Sequence, residues 1–202
     1  MTKAARFAAW MLVAGCLAGC SKDKAGGSSD NPSINWRKVT ITAAGKKSVV
    51  EVGRYERAMP LKLIEASAAR RDTPQATWNS WQSMSVSGRD DNDLKVYADY
   101  FVDAPAFLAR LKSPAPKFFD DARKADERPQ ALGLIKTGSY SVVVYSVRRQ
   151  SQYRAAVMIN RDGKYYIDDN AKLDNPVLRE LTAEGYSVIK EHAATQSAPS
   201  SR

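Results

Sequence analysis

The chain has 202 residues, two cysteines, one histidine and a formal net charge of +9. Hydrophobic residues make up 44 % of it and aromatic residues 9 %, enough to bury a core, which excludes wholesale disorder. The length fits one domain with tails.

The first twenty residues stand apart. Lys3 and Arg6 give a short positive region, Phe7 to Leu17 an apolar run, and Ala18 and Gly19 small residues. That is the layout of a secretory signal peptide. The run falls short of the about 20 apolar residues of a spanning helix, and no later stretch is longer.

The tetrad Leu17-Ala18-Gly19-Cys20 resembles the lipobox of bacterial lipoproteins. The resemblance implies a cut just before Cys20, small side chains letting the peptidase reach the backbone. It also implies a thioether-linked diacylglycerol on the cysteine sulfur. Val13-Ala14-Gly15-Cys16 fits more loosely, because cleavage there leaves an apolar run of only Phe7 to Val13. Residues 1–19 therefore read as a lipoprotein signal peptide and Cys20 as the lipid attachment site. Cys16 is discarded and Cys20 acylated, so no thiol and no disulfide remain. Several acyl chains, at about 0.8 kcal/mol per buried CH2, anchor such a protein to the bilayer. An aspartate after the cysteine retains some relatives in the inner membrane. Ser21 implies the outer membrane, with the domain facing the periplasm. Cleavage removes two basic and no acidic residues, so the mature chain stays basic.

Residues 20–34 are polar and rich in Gly and Ser, a flexible tether. Residues 35–191 read as the folded domain and 192–202 as a disordered tail. The domain opens with alternation in "RKVTITA" and "SVVEV" around Ala44-Gly45, a β-hairpin pattern. "MPLKLIEASA" fits a strand or a helix. Thr73 reads as an N-cap with Pro74 at the first helical position and Gly88 as the stop. A second helix carries Leu94, Tyr97, Ala98 and Phe101 on one face. Two shorter helices follow, with Leu108 and Leu111, then Phe118, Phe119 and Ala122, turned inward. Beyond Pro129 the chain reads as strands. "SYSVVVYSV" is apolar on both faces, Tyr140, Val142 and Val144 against Val143, Tyr145 and Val147, which places it mid-sheet. Asp162-Gly163 marks another hairpin. Asn175 caps a last helix, with Gly185 as its end. Helices and strands are segregated, so the fold class is α+β with an antiparallel sheet.

Residues 72–101, "DTPQATWNSWQSMSVSGRDDNDLKVYADYF", with the strands at 131–168, resemble NTF2-like domains. The resemblance implies a cone of helices on a curved sheet around an apolar pocket. The N-terminal hairpin and the C-terminal helix are additions to that family's layout. Trp78, Trp81, Tyr97, Phe101 and Tyr145 then line the candidate pocket, or pack as plain core, since the same inward stripe serves both.

Catalytic chemistry is sparse. His192, in the tail, is the only histidine, so histidine-dependent triads and Cys/His zinc sites lack their parts. No phosphate-binding glycine loop is present. No metal or cofactor is expected. "RDDND", residues 89–93, lacks the Gly and Glu of a calcium loop and reads as a helix cap. Arg148, Arg149, Arg154, Arg161 and Lys164 fall on consecutive predicted strands. They form either a solvated face or a convergent patch for an anionic partner. An exported protein does not meet nucleic acid. The expected function is a non-catalytic, membrane-anchored module that binds an envelope protein or a small apolar ligand. Two alternatives stand beside it. One is a periplasmic inhibitor or immunity lipoprotein. The other is an isomerase-like enzyme with Asp99 or Asp103 as base beside Tyr97 or Tyr100.

Overall fold

The computed structural model describes residues 33–124, 129–147 and 152–194, without the side chains of 192–194. The signal peptide, Cys20, the tether before Ser33, Arg148 and Arg149 lie outside the described residues, as do residues 195–202 of the expected tail, whose first three residues, 192–194, instead continue the last helix.

The chain opens with strands β1 (Ile34–Ala43) and β2 (Lys46–Pro60). Ala44 and Gly45 join them with φ of 49° and 75°, the paired left-handed conformation that matches strand twist in a two-residue hairpin. Four helices follow: α1 (Pro74–Ser87), α2 (Asp91–Ala98), α3 (Ala104–Arg110) and α4 (Ala115–Lys124). Then come β3 (Gln130–Thr137), β4 (Tyr140–Val147), β5 (Gln152–Arg161) and β6 (Lys164–Ile167). A short α5 (Ala171–Asp174) and a long α6 (Pro176–Ala194) close the described chain. The six strands form one antiparallel sheet in the order β1-β2-β3-β4-β5-β6. The class is α+β.

The sheet has a core on each face. Val143, Tyr145, Val147, Leu134 and Met158 pack with Trp78, Tyr97 and Phe119 from the helix layer. Val142, Val144, Ile135, Val50 and Val52 pack with Leu178, Leu181 and Ile189 of α6. β4 feeds alternate residues to both cores, as its sequence predicts, and sits inside the sheet. The segment 61–72 is largely irregular, with a single 3-10 turn at Ala66–Ala68. It is strapped to α1 by side chains: Asn79 bonds both backbone groups of Lys62, Ser83 those of Ile64, and Ser80 those of Arg70. Those bonds satisfy polar groups that burial would otherwise penalise. They explain why Ser80 and Ser83 are buried in α1.

Three expectations need correction. Phe101 does not continue the second helix, which ends at Ala98. Phe101 instead forms a parallel bridge with Ile167, and the Val102 N–H donates to the Ile167 carbonyl at 2.9 Å. Gly185 does not end the last helix, which continues to Ala194. There α6 lies so close to the sheet that a Cβ on Gly185 would stand 2.9 Å from Val144 Cγ2. Gly88 does close α1, but with φ of −62°, open to any residue. Its Cβ would fall 2.3 Å from the buried Phe119 ring, so glycine is there for room.

Candidate functional site

The five aromatic residues singled out in the sequence join one buried cluster. Tyr97 of α2 stands at its centre, with ring centroids 6.2 Å from Trp81, 5.8 Å from Phe101, 5.6 Å from Phe107 and 5.2 Å from Phe118. Phe101 stacks on Phe107 at 4.1 Å and meets Trp81 edge-on at 6.2 Å. Trp78 lies 5.8 Å from Tyr145 across the α1–β4 contact. Spacings of this size are those of mutually packed aromatic pairs. Phe107 and Phe118 belong to the same cluster; Phe118 reads as inward-facing in the sequence but is not among the pocket candidates, and Phe107 is not singled out at all.

The cluster has polar atoms of its own. Trp78 Nε1 and Trp81 Nε1 are buried and make no hydrogen bond among the described residues. Burial pushes the Tyr97 hydroxyl well above the usual tyrosine range. The nearby Trp81 indole offsets part of that rise, although its geometry falls short of a hydrogen bond. The negative charge of Asp169 also disfavours ionising Tyr97. Asp169 lies between β6 and α5, half-exposed, with Arg110 Nη2 3.9 Å from its Oδ2. Burial raises its pKa against the opposing pull of Lys172 and Arg110. Sequence reasoning missed this carboxylate, because nothing in "YIDDN" distinguishes Asp169 from Asp168, whose Oδ1 caps the next turn by accepting from Ala171 N–H.

Asp99 and Asp103, the candidate bases, are both exposed. Asp103 Oδ1 accepts the Ala106 N–H at 2.9 Å as the N-cap of α3, and Asp99 is the C-cap of α2. Neither carboxylate is buried in the aromatic cluster. "RDDND" is a capping turn: Asp90 accepts from Asn92 and Asp93 N–H, and Asp93 from Arg89 N–H at 2.7 Å. Among the described residues no three His, Cys, Asp or Glu side chains converge as a metal site, and no helix is long and apolar enough to cross a membrane. Arg154 and Arg161 do not converge either. The sheet register sends them to opposite faces, about 23 Å apart along β5.

A recess of about 900 Å³ opens where the 69–72 segment meets the β5–β6 hairpin and the 99–105 loop. Arg71 organises it. Its guanidinium carbon stands 4.1 Å from the Tyr100 ring centroid and 5.6 Å from that of Tyr166. Its Nη1 donates to the Asp99 carbonyl at 2.5 Å, and its own carbonyl accepts the Tyr165 N–H at 2.8 Å. A planar cation between two rings with its backbone tied to β6 is pre-organised. Arg70 and Lys164 add positive charge to the rim, and Asp72, Asp99 and Asp162 add negative charge. The Arg70 guanidinium bonded to Asp72 holds that carboxyl below the usual carboxylate range. Phe101 and Pro105 supply apolar wall. Phe101 thus belongs to both the aromatic cluster and the recess.

No protein-family model matches this chain, and neither the curated proteins nor the solved structures return a match to it.

Proposed function

We propose that this protein is a lipid-anchored module of the bacterial envelope, held at the outer membrane through acylated Cys20, that binds a partner protein rather than catalysing a reaction. The observation that carries the binding reading is the recess around Arg71. It pairs a rigid arginine and aromatic walls with a rim of both charge signs, the composition of protein-binding hot spots. A small apolar ligand fits that lining less well than a polar polypeptide segment does. The partner would be an envelope protein, an effector to be inhibited included. The NTF2-like reading of the domain is part of this proposal. It is supported by α1, α2 and α4 packed on one face of an antiparallel sheet whose register breaks in β2–β3 and β3–β4, the kind of irregularity that bends strands. The N-terminal hairpin and α6 remain additions to that family's layout.

A photo-crosslinking residue at Asp162 should trap a partner in living cells, and Arg71→Glu should abolish the adduct. An adduct that persists in Arg71→Glu rejects the recess. The anchor is tested separately: Cys20→Ser should block lipoprotein processing and acyl labelling, with Cys16 unable to substitute. A second reading, an isomerase-like enzyme, rests on Asp169, the carboxylate whose charge is felt at buried Tyr97, in place of Asp99 or Asp103. Under that reading Asp169→Asn and Tyr97→Phe abolish the biological phenotype while Arg71→Glu leaves it intact. Under the binding reading the pattern reverses.

A further inference from the structure

On the sheet face that carries the helix layer, α1 packs over β4 and β6, and the β1–β2 hairpin lies beyond. Its register places Trp36, Lys38, Thr40 and Thr42 of β1 opposite Gly53, Glu51, Val49 and Lys47 of β2. Lys136 of β3 extends the row formed by Lys38 and Glu51. All of these except Gly53 are exposed, whereas the alternate residues Val39, Ile41, Val50 and Val52 pack toward α6.

Trp36 has a built seat on this face. A Cβ on Gly53 would lie 2.9 Å from Trp36 Cδ2 and Cε3, so the indole rests on bare backbone. Lys136 Nζ stands 4.4 Å from the ring centroid. The indole is still 41 % exposed, and Val49 is 63 % exposed. Lys136 and Lys38, the latter two residues along β1, put positive charge beside the ring, and Lys47 adds a further charge about 20 Å away toward the hairpin turn. Glu51 is the one acid in the set, and it sits between Lys38 and Lys136.

We propose that this face, Trp36 beside Lys38 and Lys136 with Lys47 farther along the same strand row, seats the domain on an anionic lipid-headgroup surface. An indole favours the boundary between apolar and wet layers. Lysines gain free energy within a Debye length of anionic lipid. A second copy of the chain is excluded as occupant, because it would bring lysines against lysines. A protein partner is disfavoured, because protein interface cores are depleted in lysine while a headgroup layer accepts it. The position along the chain agrees. Residues 21–33 can span at most about 45 Å, so in the lipid-anchored reading the hairpin is the first folded element within reach of the bilayer.

The test needs no acyl chain and so stands apart from the anchor. The chain from Ser21 onward keeps every described residue, 33–194. It is sedimented with vesicles of phosphatidylethanolamine and phosphatidylglycerol, and with vesicles of phosphatidylcholine alone. Binding should favour the phosphatidylglycerol vesicles and fall with salt. It should weaken roughly tenfold or more in Lys38→Gln/Lys136→Gln, a pair that removes both charges and keeps polar side chains. Brominated lipid should quench Trp36, with Trp36→Phe isolating it from Trp78 and Trp81. Arg71→Glu should bind vesicles like the parent, which separates this face from the recess. Equal binding to both vesicle types, unweakened binding by the lysine variant, or an unquenched Trp36 in bound protein would each overturn the proposal. So would a lysine variant that loses a protein crosslink and keeps the vesicles.

Discussion

Gly185→Ala is a sharp test of how α6 meets the sheet. Gly185 lies inside a 19-residue helix, where glycine costs about 1 kcal/mol relative to alanine. On an exposed face the substitution would stabilise the fold by about that amount. Here the new Cβ would stand 2.9 Å from Val144 Cγ2 and 3.9 Å from Ile135 Cδ1. Carbon atoms settle at about 3.5–4.0 Å, so one side must retreat by roughly 0.6–1 Å. Val144 is 1 % exposed, β-branched and on an interior strand, with no free rotamer to take up. Overpacking of that kind costs about 1–3 kcal/mol. The propensity gain offsets part of it, which leaves a net loss of about 0–2 kcal/mol. Urea denaturation of Gly185→Ala, Val144→Ala and the double variant measures this directly. Val144→Ala alone loses packing and leaves a cavity. In the double variant the new methyl enters that space, so the pair should be more stable than the two single effects added together. A Gly185→Ala chain about 1 kcal/mol more stable than the parent, or strict additivity, would refute the close approach.

Two further outcomes follow from local geometry. Thr73 Oγ1 accepts the Ala76 N–H at 3.1 Å at the start of α1, so Thr73→Ala should cost about 1 kcal/mol and Thr73→Ser much less, read by thermal melts. Burial holds Asp169 above its ordinary value of 3.8, so the folded chain keeps that proton to higher pH than the unfolded chain. The associated stability is full below about pH 3.8 and is lost as pH rises through the raised value. Asp169→Asn should therefore melt higher than the parent near neutral pH and match it in acid. A variant that melts lower at neutral pH would mean that the Arg110 and Lys172 charges outweigh burial.

Much of the architecture was legible because it rests on local rules. The Val-rich alternation of β4, the Thr73-Pro74 cap and the Asp162-Gly163 turn each act through neighbours in sequence. Glycines were legible only where backbone sign decides, as at Gly45. Gly88, Gly185 and Gly53 serve distant rings and methyls, Phe119, Val144 and Trp36, whose approach is a tertiary fact. Phe101 fits a helical stripe, yet β6 captures the backbone there, since its edge would otherwise leave the Ile167 groups unpaired. The site was less legible than the fold. Aromatic spacing identified the cluster, because inward stripes show in periodicity. The Arg71 recess joins segments about thirty and ninety residues apart in sequence, which no periodicity reports. Asp99 and Asp103 had the right residue type, but helix ends claimed both.

The uncovered half-face follows from element lengths, and those lengths show which of its residues need an explanation. Six strands span about 24 Å across the sheet. A 19-residue α6 is about 28 Å long and can cross that width, and it packs against β1 through β5. The opposite face is served by shorter helices, the longest of 14 residues, which sit toward β4 and β6. Beyond Ile34, Tyr55 and Met59, which join the helix-layer core, the hairpin is therefore left bare on that side by geometry alone. A bare sheet face stays soluble when it alternates to polar residues, and Lys38, Thr40, Thr42 and Lys47 meet that need. Trp36 and Val49 do not. A large ring on a glycine seat beside Lys136 costs solubility and adds nothing to the α6 core. Solubility would be better served by replacing Trp36 with threonine, and in the absence of a membrane or partner Trp36→Thr should cost, by thermal melts, only the part of the ring that covers Gly53, about 1–2 kcal/mol, short of the about 3–5 kcal/mol lost with a core aromatic. A large loss of stability in Trp36→Thr would mean the indole belongs to the fold, and the case for a docking face would lose its centre.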